Sequence, residues 1–171
     1  MLEMRTAGVQ DLPDLELLIN SAYRGESSKA GWTTEAHLLK GIRTDKESLR
    51  ELIEREGSII LTAIQNQKII GCVNLQKQGE PLYLGMLTVS PLIQARGIGK
   101  ELLKASEAYA AEQGCHSVVM TVISVRTELI EWYERRGYHT TGEKEPFPSN
   151  NPKFGLPVQD LEFVVMEKRL L

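Results

Sequence analysis

The chain has 171 residues, 42% of them apolar and 25% charged, with a formal net charge of −3. That size and balance predict one folded domain over residues 1–171 and argue against a nucleic-acid partner. No apolar run reaches the ~18 residues of a membrane span, and Met1-Leu-Glu-Met-Arg5 lacks the basic-then-apolar pattern of a signal peptide, so no membrane partner is expected. Cys72 and Cys115 sit in apolar surroundings, which predicts reduced core thiols and a cytoplasmic setting. His37, His116 and His139 stand apart, so no metal site is expected.

Residues 4–8 read as a short first strand. Asp11 then has the place of a helix N-cap, with Pro13 in the first turn. Leu15, Leu18, Ile19 and Ala22 recur at helical spacing, and this helix is expected to end near Tyr23. Arg24 to Thr34 is a glycine- and serine-rich loop whose Trp32 either plugs it onto the core or lines a substrate pocket. A short helix is expected over Glu35–Leu39. Thr44 and Glu47 have capping-box spacing and predict a helix with Leu49, Leu52 and Ile53 on one face, closed by Gly57. From Ser58 the period becomes that of strands. Ser58–Ile64, Ile69–Lys77 and Leu82–Val89 form a meander, with Gly71 at a bulge.

The meander stops at Pro91, and Gln94-Ala95-Arg96-Gly97-Ile98-Gly99-Lys100 follows. A helix over Ile98–Gln113 is expected to bury the stripe Ile98, Leu102, Ala105 and Tyr109 and to end at Gly114. The first N–H groups of a helix have no internal partners, its dipole adds positive charge there, and glycines let a phosphate approach the backbone. The same glycines also suit a tight strand-to-helix turn with no ligand. The loop has neither the three glycines of a dinucleotide-binding fingerprint nor the Gly-Lys-Ser/Thr of a P-loop. Ser117–Ile123 is a buried strand, and the strand–helix–strand order makes it a parallel neighbour of Leu82–Val89. Arg126–Arg136 is a helix with Leu129, Ile130 and Tyr133 on one face and Gly137 as its stop. Tyr138–Gly142 is a short strand, Glu143–Asp160 a long proline-rich loop, and Leu161–Lys168 the last strand. The sum is α/β with a mixed sheet of about seven strands.

Gln94-Ala95-Arg96-Gly97-Ile98-Gly99 resembles the pyrophosphate-binding signature of the GNAT superfamily, the acyl-CoA-dependent N-acetyltransferases. Glu128-Leu-Ile-Glu-Trp-Tyr133-Glu-Arg-Arg-Gly137-Tyr138 resembles the superfamily's later helix. Two motifs in that order are more specific than either alone. The resemblance covers about Ile59 to Leu171, and the residues before it match loosely. It implies a mixed, mostly antiparallel central sheet with a splayed parallel pair, flanked by helices. It also implies acetyl-CoA as acetyl donor, with no metal. The backbone of Leu87, Thr88 and Val89 would take the pantetheine arm. The loop Gln94, Ala95, Arg96, Gly97, Ile98, Gly99 and Lys100 would take the pyrophosphate. The side chains of Arg96 and Lys100 either reach phosphate or form a solvated basic pair.

The resemblance makes Tyr133 the candidate acid for the leaving thiolate; by helical phase alone it is a core aromatic. A tyrosine with pKa near 10 carries its proton at neutral pH. A strand N–H near Leu87 would face the developing oxyanion. Two departures stand out. The strand Leu82–Val89 holds Tyr83, Gly85 and Met86 but no acid, so the base is unassigned between Glu26, Glu80 and a water chain. Arg126 stands where many relatives carry asparagine, and either binds phosphate or points to solvent. The implied activity is transfer of acetyl to a primary amine of a small molecule or peptide, by direct attack in a ternary complex. The alternative is a non-catalytic acyl-CoA-binding sensor or interaction domain, and other acyl transfer on this fold stays open. Trp32, Phe147, Phe154, Glu26 and Glu145 on the two long loops suit an amine with an apolar part. The oligomeric state, homodimer included, is open.

Overall fold

The computed structural model of the chain describes residues 2–23, 39–40, 43–77, 79–93, 97–147, 156–157 and 161–170. The elements run β1 (Glu3–Thr6), a 3-10 turn (Val9–Asp11), α1 (Leu12–Tyr23), β2 (Leu39–Lys40), α2 (Lys46–Glu54), β3 (Ser58–Gln65), β4 (Lys68–Lys77) and β5 (Pro81–Val89). They continue with α3 (Ile98–Glu112), β6 (Ser117–Ile123), α4 (Thr127–Glu134), β7 (His139–Pro146), β8 (Leu156–Pro157) and β9 (Glu162–Arg169). Seven strands form one sheet in the order β1-β3-β4-β5-β6-β9-β7, while β2 and β8 pair separately. Only β5–β6 is parallel; the other pairs of the sheet are antiparallel. The expected mixed sheet of about seven strands is therefore observed.

Side chains alternate across the pleat, so the successive residues Cys72 and Val73 on β4 join different cores. On the Cys72 face, Leu15 and Ile19 of α1 and Leu49 of α2 are fully buried with Ile60. On the Val73 face, Leu102 and Leu103 of α3 pack with Leu82 and Met120, and Tyr133 of α4 joins them. Each fully buried leucine or isoleucine is worth about 1.5–3 kcal/mol. Gly71 lets α3 sit close to the sheet: a Cβ there would lie 2.9 Å from both Leu102 Cδ1 and the Thr88 carbonyl. It also lies beside the register shift between β3 and β4, where Ala63 faces Gly71 and Ile64 faces Ile69. Cys72 and Cys115 are buried free thiols, and burial pushes the Cys72 thiol up to about 12. No helix among the described residues is long and apolar enough to cross a membrane.

Four local expectations need correction. Asp11 does not cap α1; its carboxylate accepts from the Gly8 N–H at 2.8 Å and takes both guanidinium nitrogens of Arg5 at 3.0 and 3.1 Å. Asp45, not Thr44, caps α2, accepting the Ser48 N–H at 2.8 Å. Thr44 is unavailable because its N–H and carbonyl are both bonded to the Asn20 side chain, at 3.0 and 2.9 Å. The buried stripe of α3 is rotated: Ser106 and Ala110 are fully buried while Ala105 and Tyr109 are only half-buried. Ser106 is tolerated there because its hydroxyl donates to the Leu102 carbonyl at 2.7 Å. Finally, β7 runs on to Pro146, absorbing an irregularity between Thr140 and Lys144 where Gly142 has φ +92°. The short helix expected over Glu35–Leu39 falls outside the described residues except Leu39, which belongs to β2.

Candidate active site

The site begins with a fault in β5. On β4, Cys72 faces Thr88 and Asn74 faces Gly85, so Val73 alone stands opposite both Met86 and Leu87. This is a bulge: two residues against one, with a local bend. Met86 takes φ +54°, a left-handed conformation uncommon outside glycine. The buried Thr88 hydroxyl donates to the Met86 carbonyl at 2.7 Å and braces the bend. The Tyr23 hydroxyl, at the end of α1, donates to the Leu87 carbonyl.

The consequence appears on the other edge of β5. Its parallel ladder with β6 holds only at Pro81–Ser117, Leu82–Val118 and Tyr83–Val119. Beyond Tyr83 the strands part, and a cleft of about 280 Å³ opens between Leu84–Leu87 and Met120–Ile123. Tyr23, Arg43, Tyr83, Arg126, Tyr133 and Phe163 are among its walls. Splaying leaves backbone edges that must find partners elsewhere, which suits a ligand rich in amides.

Tyr133 lies on α4 at the cleft wall and is 5% exposed. Trp132 meets its ring edge-on at 5.1 Å between centroids and Tyr138 at 5.8 Å. Tyr138 is itself fixed by donating to Glu107 at 3.0 Å, and Lys168 holds the other Glu107 oxygen at 3.0 Å. The Tyr133 hydroxyl has no hydrogen-bond partner among the described residues. Burial raises its pKa well above the ordinary tyrosine range, nearby Tyr23 and Tyr83 add to the rise, and Arg126 opposes it. The group therefore stays protonated, a donor on the cleft wall with no described partner.

At the far end of β5 the chain turns into α3. Leu87, Thr88 and Val89 are buried on that strand. Gly97 is the N-cap of α3 in the left-handed region, φ +78°, with no side chain to cap the helix. The first intrahelical bond at this end runs from the Glu101 N–H to the Gly97 carbonyl at 3.0 Å. The amides of Ile98, Gly99 and Lys100 precede it, which is where a helix offers donors to an anion. Ile98 and Gly99 are buried and Lys100 is exposed. Gln94, Ala95 and Arg96 lie outside the described residues.

The cleft residues Tyr23 and Arg43 were not singled out as site residues from sequence. Tyr23 continues the apolar phase of α1 four residues after Ile19, a signal that was available. Arg43 has no motif around it. The Asn20 amide accepts the N–H groups of Arg43 and Thr44 at 2.7 and 3.0 Å, and the Arg43 guanidinium lies over the Tyr23 ring, 5.4 Å from its centroid. Arg126 precedes α4 and lines the cleft rather than facing bulk solvent alone. Phe147 also lines it, 5.3 Å from Phe163. Glu145 is exposed on β7, and Glu80 is exposed beside His116; neither is a cleft residue. Trp32, Glu26 and Phe154 fall outside the described residues.

Known structures share this architecture end to end. An N-acetyltransferase from Staphylococcus aureus Mu50 superposes with TM-score 0.74 at 16% identity, covering 100% of this chain and 99% of that one. The PaiA N-acetyltransferase from Thermoplasma acidophilum, solved with coenzyme A, superposes with TM-score 0.73 at 19% identity, covering 99% of each chain. A ribosomal-protein-alanine N-acetyltransferase from Brucella melitensis gives TM-score 0.72 at 21% identity over 98% of this chain and 99% of that one. At such identities the likeness is one of fold. No curated protein matches the sequence. The profile of the acetyltransferase (GNAT) family matches residues 17–138, reaching back well before Ile59 and taking in the second half of α1, the splayed pair, the glycine turn and Tyr133. The chain belongs to the acetyltransferase (GNAT) family.

Proposed function

We propose that this protein moves an acetyl group from acetyl-CoA to a primary amine of a small molecule or peptide, by direct attack within a ternary complex. The observation that carries this reading is the cleft opened by the β5–β6 splay, with the protonated, unpartnered Tyr133 hydroxyl on its wall. Two features along β5 and beyond it fit the donor chemically. The uncapped first turn of α3 suits a pyrophosphate, and the open strand edges suit the amides of a pantetheine arm. In this reading Leu87, Thr88 and Val89 hold the arm through their backbone. Gln94, Ala95, Arg96, Gly97, Ile98, Gly99 and Lys100 hold the pyrophosphate.

Acetyl-CoA, when bound, supplies an acetyl thioester. The amine nitrogen forms a bond to the acetyl carbon, the carbon–sulfur bond breaks, the nitrogen loses a proton and the sulfur gains one. Tyr133 donates its hydrogen bond to the departing sulfur. Its raised pKa keeps it protonated before the step; passing that proton to the sulfur as the carbon–sulfur bond breaks contributes typically ~10²–10⁴-fold, and the proton released by the nitrogen restores the hydroxyl by way of water. The Leu87 N–H, at the bulge, is the candidate donor to the oxyanion; the Leu87 carbonyl is already engaged by Tyr23. The described cleft residues include no carboxylate to act as base. They include Arg43 and Arg126, and two nearby cations disfavour an ammonium and favour the free amine that must attack.

Calorimetric titration with acetyl-CoA tests the donor site. Wild type should bind in the micromolar range, and Gly97→Trp, strained at φ +78°, should lose binding while retaining its circular dichroism spectrum. Absence of wild-type binding would remove this reading. Binding without thiol release across a broad amine panel would favour the sensor alternative.

A further inference from the structure

We infer that the acceptor amine carries a carboxylate, and that Arg43 holds it. This rests on the transferase reading above. Arg43 sits on the Tyr23 side of the cleft, and Tyr23 belongs to the core under α1 and α2. Tyr133 and the first turn of α3 belong to the core on the opposite face of the sheet. A guanidinium on the α1 face is thus across the sheet from the turn that suits the donor's phosphates, at the side left for the second substrate.

The side chain is positioned rather than merely present. Asn20 clamps the backbone at Arg43 and Thr44 through three hydrogen bonds of 2.7, 3.0 and 2.9 Å. Tyr23 lies beneath the guanidinium, and its hydroxyl is tied to Leu87 at the bulge. A line of contacts therefore joins Arg43 to the strand where the amine must attack. No described carboxylate forms an ion pair with Arg43, and the described cleft residues include no Asp or Glu. The chain as a whole has 23 acids against 20 bases, so a cleft with two arginines and no acid departs from the surface average. A half-buried guanidinium without an acid partner is completed best by a carboxylate, which its planar fork binds through two parallel hydrogen bonds. Phe147 and Phe163 supply an apolar wall in the same cleft. The acceptor class is then an amine bearing a carboxylate and an apolar body.

The test uses matched pairs: L-phenylalanine, L-leucine and L-methionine, each beside its decarboxylated amine, with thiol release as the readout. Wild type should prefer the carboxylated member of each reacting pair by about tenfold or more in kcat/KM. Arg43→Gln should cut kcat/KM for that member ~10–100-fold, mainly through KM, the range expected for losing a charged hydrogen-bonded pair. It should slow the decarboxylated amine much less, since that substrate loses only the field of one of two cations, and should leave the KM for acetyl-CoA unchanged. Three results overturn the inference: equal or better rates with the decarboxylated amines, no reaction of any carboxylated member in protein that binds acetyl-CoA, or an Arg43→Gln effect on acetyl-CoA KM instead of amine KM. Failure of wild type to bind acetyl-CoA is a different result, and it removes the transferase reading along with this one.

Discussion

Strand β6 has two edges with opposite fates. Toward β9 every residue from Ser117 to Ile123 has a partner in register. Toward β5 only Ser117, Val118 and Val119 do. The residues are the same on both sides, so strand propensity does not explain the gap. The cause is on the facing strand, where the bulge at Met86 and Leu87 bends β5 away. A sheet can thus be held firmly on one side of a strand and left open on the other, and the open side is where backbone polar groups are available for binding.

If this contrast is right, changes at the open seam should alter activity without stability, and changes at the closed half the reverse. The largest effect expected is on activity: Tyr133→Phe should lower kcat by about 10²–10⁴-fold while acetyl-CoA affinity and Tm hold, because the lost hydroxyl has no described partner to orphan. Comparable losses in affinity and Tm would show that the ring, not the proton, matters. Leu102→Ala, at a fully buried position, should cost about 2–5 kcal/mol in chemical denaturation. Gly71→Ala places a Cβ 2.9 Å from the Thr88 carbonyl and should cost about 1–3 kcal/mol by overpacking. Asp11→Asn, which removes an ion pair whose arginine is 39% exposed, should cost only ~1 kcal/mol after solvent screening. The smallest expected effect is on pH dependence. A tyrosine acid is active when protonated, and burial raises its pKa, so kcat/KM should have no falling limb below about pH 10. A decline near neutral pH would assign the acid to another group.

The elements legible in the sequence were those set by local chemistry. The period-two runs of β3 to β6 and the turn glycines Gly57, Gly114 and Gly137, all with positive φ, needed only neighbouring residues to be read. The motif marks Tyr133 as a candidate, and the structure adds its burial and its place on the cleft wall. What could not be read was set by distant partners. Thr44 looks like a cap until Asn20, far along the chain, takes its backbone. The phase of α3 depends on Ser106 satisfying its hydroxyl within the helix. Arg43 reaches the cleft only because α1 brings Asn20 and Tyr23 to it. The bulge puts its left-handed turn on Met86 rather than on the neighbouring Gly85, where sequence would place it, and Thr88 braces it there.

Amide hydrogen exchange along β5 and β6, with and without acetyl-CoA, tests the open seam most directly. Protection should rise at Leu84–Val89 and at Met120–Ile123, and stay unchanged at the β3–β4 ladder. Added protection confined to other segments, or none despite measurable binding, would contradict the seam as the donor site.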